Sequence, residues 1–295
     1  MDLQSKNRAF TLVELLTVMA IITMLIGLLI PSLNTVRRFA KNTKQSAQLA
    51  SIGAALTTFR NEYGEYPPSE GRSLGGSDAG ARNFCGAQKL CEAMLGQDLM
   101  GFHPESEWSV TRPFYYYTPV TLGQRVGRYL ELATANAFRL GISASGAQDG
   151  LFDLGAPALS GIDLAPDTFV LCDVFANTRI VMANGDTVRA GKPILYYRAN
   201  ASSRVLDGGA RPQDRIYNHM DNIDLIAVQD ISDDGNPGDH PLSLGAGAQF
   251  YPYVTDPRVS TEDWDWPYRP DSYLLITAGA DGLYGSGDDI CNFGN

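Results

Sequence analysis

Three carboxylates crowd one short stretch near the C-terminus. In ITAGADGLYGSGDDICNFGN, Asp281, Asp288 and Asp289 fall within nine residues, among Gly279, Gly282, Gly285 and Gly287. The glycines permit a tight path with positive φ. A loop that curls on itself then presents the carboxylates together with backbone carbonyls. That donor set suits Ca2+, a hard ion that takes about six to eight oxygens. The spacing is not that of an EF-hand, and no Glu closes the loop. A solvated acidic turn is the alternative. A second acidic stretch, DISDDGNPGDH at 230–240, carries Asp233, Asp234 and Asp239 and reads as a plain loop rather than a second ion site.

Nucleophilic and acid–base chemistry have little support. His103, His219 and His240 lie scattered in polar sequence, outside any Ser/His/Asp, HExxH or Cys/His arrangement. Glu262, Asp263 and Asp265 sit in TEDWDWPYRPD, a packed surface loop sooner than a sugar site. No catalytic residue is assigned, and the chain reads as a non-enzyme. Cys85, Cys91, Cys172 and Cys291 form no CxxC, and three histidines poorly support zinc. If the body lies outside the cytoplasm, one or two disulfides are allowed, with Cys85–Cys91 the easiest loop to close. Four buried free thiols are the alternative. A net charge of −10, with no Lys/Arg-rich patch interleaved with aromatics, argues against a nucleic-acid partner.

One further carboxylate stands where it is expensive. FTLVELLTVMAIITMLIGLLIP, residues 10–31, is apolar almost throughout, yet carries Glu14 near its start. No charged side chain occurs from Leu15 to Val36, enough for a helix to cross a bilayer. A Glu at membrane depth needs a partner or a function. Lys6 and Arg8 precede the run, so the N-terminus starts in the cytoplasm and the body is translocated. Pro31 removes an N–H and predicts a kink. Beyond it, Leu49, Ile52, Leu56, Phe59 and Tyr63 recur at helical spacing and form one apolar stripe. The two halves make a helix of about 50 residues, or about 80 Å. It ends at Gly64 and Pro67-Pro68. The stripe is expected to pack on the chain's own sheet. Helices are expected at Asn83–Gly96 and Gln124–Gly141. Strands are expected at Thr168–Phe175, Thr178–Met182, Lys192–Arg198 and Ser272–Thr277, in one antiparallel sheet. Phe114–Tyr117 is a strand or a packed aromatic loop.

The N-terminal motif RA/FTLVELL resembles the prepilin cleavage and methylation motif of type IV pilins and type II secretion pseudopilins. The resemblance implies cleavage by a membrane peptidase between Ala9 and Phe10, followed by N-methylation of Phe10. Glu14 becomes the fifth mature residue and Pro31 the twenty-second, both recurring family positions. Ala9 departs from the family's usual Gly. The new amine of one subunit then meets Glu14 of a neighbour, so two buried charges are offset only on assembly. The helix ending in EYGEYPPSEG, and the C-terminal Ala-Asp-Gly turn with its Gly-rich stretch and Asp-Ile, resemble the major pseudopilins. In those proteins this loop binds calcium. By that match Asp281 and Asp289 are the best ligands and Asp288 the next.

The implied fold is α+β and pilin-like: a long N-terminal helix packed on an antiparallel sheet, with an enlarged body. The implied organisation is a leader at 1–9, a helix at 10–63 with residues 10–33 in the membrane, and a periplasmic domain at 64–295 with its calcium loop at 278–292. The implied partners are other pseudopilin subunits, prepilin peptidase, an inner-membrane assembly platform and the inner-membrane lipid. The implied role is a structural subunit of a type II secretion pseudopilus that supports protein export. A type IV pilin or minor pilin for adhesion or DNA uptake is the nearest alternative. A membrane-anchored binding domain that never polymerises is the alternative of another class.

Overall fold

The structure is a computed structural model, and it describes residues 11–69, 84–104, 120, 122–142, 149–154, 164–176, 178–182, 185–206, 211, 214–234, 239–261 and 264–294. Helix α1 (Leu12–Tyr63) opens on a capping box. The Thr11 N–H and hydroxyl both donate to Glu14 Oε2, at 2.9 and 2.8 Å, while the Glu14 N–H donates to Thr11 Oγ1 at 3.2 Å. The helix stops where Gly64 turns to φ +83° and its N–H meets the Arg60 carbonyl at 2.8 Å. The helix runs unbroken through position 31. The chain divides into two compact units, Met1–Thr43 and Lys44–Asn295.

In the second unit the predicted stripe is core. Ile52 and Leu56 are fully buried, and Leu49 and Phe59 nearly so. Each such side chain contributes about 2 kcal/mol by leaving water. They pack in one apolar cluster with Leu90 and Met94 of α2 (Gly86–Leu95) and with Tyr196 and Leu275 of the central strands. Those strands are β5 (Leu195–Arg198) and β6 (Tyr273–Thr277), antiparallel with Leu195 opposite Ile276. Successive side chains of a strand point to opposite faces. Leu195, Tyr197, Leu274 and Ile276 therefore enter a second cluster, with Leu225 and Ile226 of α4 (Ile223–Asp234) and Phe250 of α5 (Phe250–Val254). Burial on both faces explains why ILYY and YLLIT read as continuous apolar runs. A long N-terminal helix followed by a mixed body with small antiparallel sheets is the α+β, pilin-like class expected from the sequence.

Three expectations need correction. The strands form three small sheets, not one: β1–β2 (Ala137–Arg139, Phe169–Leu171), β3–β4 (Thr178–Val181, Thr187–Ala190) and β5–β6–β7, where β7 is Ile290–Cys291. The ladder between β2 and β5 is confined to the Asp173 N–H to the Lys192 carbonyl and the Ile194 N–H to the Leu171 carbonyl. Pro193 stands opposite Cys172 between them and has no N–H to extend it. Gln124–Gly141 is not a helix. It holds a 3-10 turn at Leu122–Gln124, one helical turn α3 (Leu132–Ala135), and then β1. Asn136 ends that turn in the left-handed region at φ 50° and donates its side-chain amide to the Cys172 and Asp173 carbonyls.

The third correction concerns Cys85 and Cys91, which form no bridge. Cys85 is the N-cap of α2, and Cys91 lies six residues along it. That separation is about 9 Å of helical rise, beyond the span of a disulfide. Cys85 enters the cluster on the α4 side of the sheet and Cys91 the cluster on the α1 side. The whole of α2 is buried, and Gly86 is what lets it approach β5: a Cβ there would lie 2.2 Å from the Tyr196 carbonyl oxygen.

Candidate functional site

The N-terminal unit presents apolar side chains that are exposed among the described residues. Leu12, Leu16, Met24, Leu28 and Phe39 are each more than 60% exposed. This is the one helix among the described residues long and apolar enough to cross a membrane, by length and composition. Its hydroxyls turn inward. Thr17 donates to the Glu14 carbonyl, Thr23 to the Met19 and Ala20 carbonyls, and Ser32 to the Leu28 carbonyl. Backbone and side-chain polar groups satisfied within one segment are what a hydrocarbon environment demands. Glu14 is the exception in kind. Its carboxylate is held at the first turn by Thr11, at the helix end where a negative charge is favoured. Ala9 and Phe10, the expected processing positions, lie outside the described residues. Pro31 lies within α1 and removes the donor that would meet the Gly27 carbonyl.

The C-terminal loop leaves β6 at Ala278 and returns at β7. Gly279, Gly282 and Gly285 adopt positive φ, and Gly287 does not. Asp288 closes the loop: its Oδ2 accepts the Ala280 and Asp281 N–H groups at 2.9 and 3.2 Å, and Ser286 Oγ donates to its Oδ1 at 2.7 Å. Asp281 Oδ1 accepts the Leu283 N–H at 2.8 Å. Asp289 Oδ2 accepts the Gly285 N–H at 2.7 Å and the Tyr253 hydroxyl at 2.6 Å. Burial acts to raise the Asp288 pKa, and the hydrogen bonds from Ser286 and from the Ala280 and Asp281 N–H groups outweigh it, so the net shift is downward. Burial pushes Asp289 up to about 6 against the pull of Tyr253 and Gly285, and the charges of Asp281 and Asp288 add to the rise. The three carboxylates thus lie within electrostatic reach of one another. As a donor set they fit a hard cation, because all are oxygens and their mutual repulsion is what a divalent charge relieves. They are turned toward the loop's own N–H groups, and no three His, Cys, Asp or Glu side chains among the described residues converge as a metal-ligand group.

Sequence reasoning missed what pins this loop to the body. Tyr284 is fully buried. Its hydroxyl donates to the Pro193 carbonyl and, at 3.1 Å, to Gln229 Oε1 on α4. Its N–H donates to His240 Nδ1 at 3.0 Å, and the two rings stack 5.1 Å apart. Asp230 in turn accepts the His240 N–H at 2.8 Å. The supposed acidic loop at 230–240 therefore begins inside α4, with Asp230 buried as an anchor. The signal was a lone Tyr among glycines and aspartates, in GLYGSGDD, where an exposed ring would have no purpose. His219 is likewise structural: it lies against Tyr251 and Arg215. Its pKa falls to about 4 through burial and then the Arg215 charge. His103 is buried as well.

Residues 4–30 match the family model of the prokaryotic N-terminal methylation motif. No curated protein and no solved structure matches the chain. The matched segment spans the expected cleavage point, Glu14 and most of the apolar run. A motif of this type implies processing by a prepilin peptidase and assembly with other pilin-type subunits. It points to a structural subunit, and with the exposed apolar helix it supports membrane anchoring.

Proposed function

We propose that the protein is a pseudopilin of a type II secretion system. It is cut between Ala9 and Phe10, N-methylated on Phe10, and assembled through α1 into a periplasmic filament that supports protein export. The observation that carries this reading is the methylation motif at residues 4–30, which runs into a helix whose apolar face is left uncovered. A carboxylate at Glu14, one turn from a freshly made amine, supplies the register: the two charges offset each other only when neighbouring helices align. Before assembly Thr11 holds the carboxylate; after it, the neighbour's amine does. The type IV pilin alternative shares all of this and differs in its partners. In the same reading Asp281, Asp288 and Asp289 hold Ca2+, which neutralises their repulsion and fastens the strand-to-strand loop. The ion is a stabiliser and takes part in no reaction.

Disulfide trapping in native membranes tests assembly. Single cysteines placed on exposed α1 positions, such as Leu16 and Ile22, are expected to give subunit ladders that Glu14→Ala abolishes. Ladders that persist unchanged in Glu14→Ala, or that never form, point instead to an anchored domain that does not polymerise.

A further inference from the structure

Two arginines of the second unit lie on tyrosine rings instead of carboxylates. Arg125, Arg139, Arg198, Arg211 and Arg258 each take an acidic partner, as a chain of net charge −10 would favour. Arg60, in the last turn of α1, sits 4.9 Å from the centre of the Tyr66 ring and donates to the Tyr66 hydroxyl at 3.3 Å. Arg269, just before β6, sits 5.2 Å from the centre of the Tyr273 ring and donates to the Asn292 carbonyl at 3.3 Å. The two rings meet edge to face, 4.9 Å apart, which joins both pairs in one cluster. Arg60 and Arg269 are exposed, and neither forms an ion pair among the described residues. The acids nearest in sequence are placed otherwise. Glu62 accepts the Tyr129 hydroxyl, Glu65 pairs with Arg198 at 2.6 Å, and Asp271 makes no ion pair among the described residues.

The cluster is held in place before any ligand arrives. Tyr273 is buried, and a Cβ at Gly53 of α1 would stand 3.0 Å from its hydroxyl. Arg269 keeps φ at 52°, a region that side chains larger than glycine rarely enter, and the Tyr217 hydroxyl fixes its carbonyl at 2.6 Å. Backbone strain of this kind concentrates at binding sites. A guanidinium over a ring keeps the N–H donors of its edge, and each arginine spends one of five within the chain. Burial acts to raise the Tyr66 pKa, and the approach of the Ser272 hydroxyl and of Arg60, with the charges of Arg60 and Arg269, outweighs it, so the net shift is downward. Both positive charges therefore act at one phenol oxygen. We propose that Arg60, Tyr66 and Arg269 bind the carboxylates of an acidic peptide segment in a partner protein. Planar carboxylates match the guanidinium fork through two parallel hydrogen bonds, and cations fixed on two neighbouring rings suit two acids of one segment. The chain's net negative charge repels acidic partners at long range, so attraction is local to this cluster. The binding requires no filament.

The test is fluorescence anisotropy of a tetraglutamate peptide carrying a neutral dye, titrated with the full chain in neutral detergent at low salt. Tetraglutamate is expected to bind, and tetraglutamine, which has the same shape without the charge, is not. Arg60→Gln and Arg269→Gln should each weaken binding about ten-fold, the loss of one charge-assisted pair. Arg60→Lys keeps the charge without the fork and should recover only part of that loss. Arg211→Gln removes an exposed cation already paired with Asp214 and should change nothing. Near-UV circular dichroism equal to wild type in each variant assigns the loss to binding and not to the fold. Binding of the wild-type chain should fall away in about 0.5 M salt. Tetraglutamate binding that both Gln variants leave unchanged, or that does not exceed tetraglutamine binding, overturns the inference. Inorganic phosphate that displaces the peptide at equal concentration makes the cluster a site for an adventitious ion only and overturns the peptide assignment.

Discussion

Tyr284→Phe is the sharpest probe of how the C-terminal loop is held. The substitution keeps the ring, its stacking on His240 and the backbone N–H to His240 Nδ1. It deletes one hydroxyl that serves two buried acceptors, the Pro193 carbonyl and Gln229 Oε1. Gln229 is fully buried, so water has no route to replace the lost donor. A buried acceptor left unsatisfied costs about 1–3 kcal/mol, and two in one pocket put the expected loss at about 2–4 kcal/mol. The void left is the size of one oxygen atom, so the packing penalty is small beside that loss. For a body of this size that corresponds to a fall in Tm of at least several degrees. The assay is thermal unfolding of the full chain in mild detergent, followed by near-UV circular dichroism, with and without a calcium chelator. The loss is expected in both conditions, because the anchor belongs to the protein and not to an ion. A change under about 0.5 kcal/mol in both conditions refutes the network as the loop's anchor.

Gly86→Ala drives a Cβ to 2.2 Å from the Tyr196 carbonyl, so α2 must retreat from β5. A loss of about 1–3 kcal/mol is expected, read by the same unfolding assay. Burial and the Arg215 charge hold His219 at about 4, below its ordinary 6.5. The unfolded chain therefore takes up a proton between pH 6.5 and 4 that the native one refuses. Its contribution to stability is full above about 6.5 and is lost as pH falls toward 4, by about 2 kcal/mol once solvent screening of the shift is discounted. Asp289, raised to about 6, pulls the other way over part of that window. The signature is therefore the pH dependence of the difference between wild type and His219→Gln, measured by urea unfolding. Calcium at about 100 times its Kd is expected to stabilise the body by about 2.7 kcal/mol. Asp281→Asn should blunt that gain, and calorimetry that detects no calcium effect on unfolding removes the ion from the account.

Periodic signals were legible in the sequence because burial imposes them. The 3, 4, 3, 4 spacing from Leu49 to Tyr63 suits a helix with one buried face, and the β-branched and aromatic runs ILYY and YLLIT suit strands; that both faces of those strands are covered is seen only in the fold. Signals of long range were not. Nothing local says that Pro193 will fall opposite Cys172 and split one sheet into several, or that Asn136 will turn left-handed and end a helix at its first turn. The Cys85–Cys91 spacing suits a loop, and it fails because a helix straightens the six residues and sends the thiols into different clusters. At the C-terminal loop the acids were visible and their anchors were not. Tyr284, His240, Gln229 and Asp230 lie up to 55 residues apart in sequence and meet only in the fold. At the N-terminus the motif fixed Glu14, while the Thr11 capping box beside it passed unnoticed inside an apolar run.

Filament assembly turns on processing of the N-terminus. Mass spectrometry of the N-terminal peptide from native membranes tests it directly. The expected peptide begins at Phe10 and carries one added methyl group, which places the partner amine of Glu14 where assembly requires it. A peptide that still carries Met1–Ala9, in cells that contain the peptidase, contradicts the filament reading and leaves α1 a simple anchor.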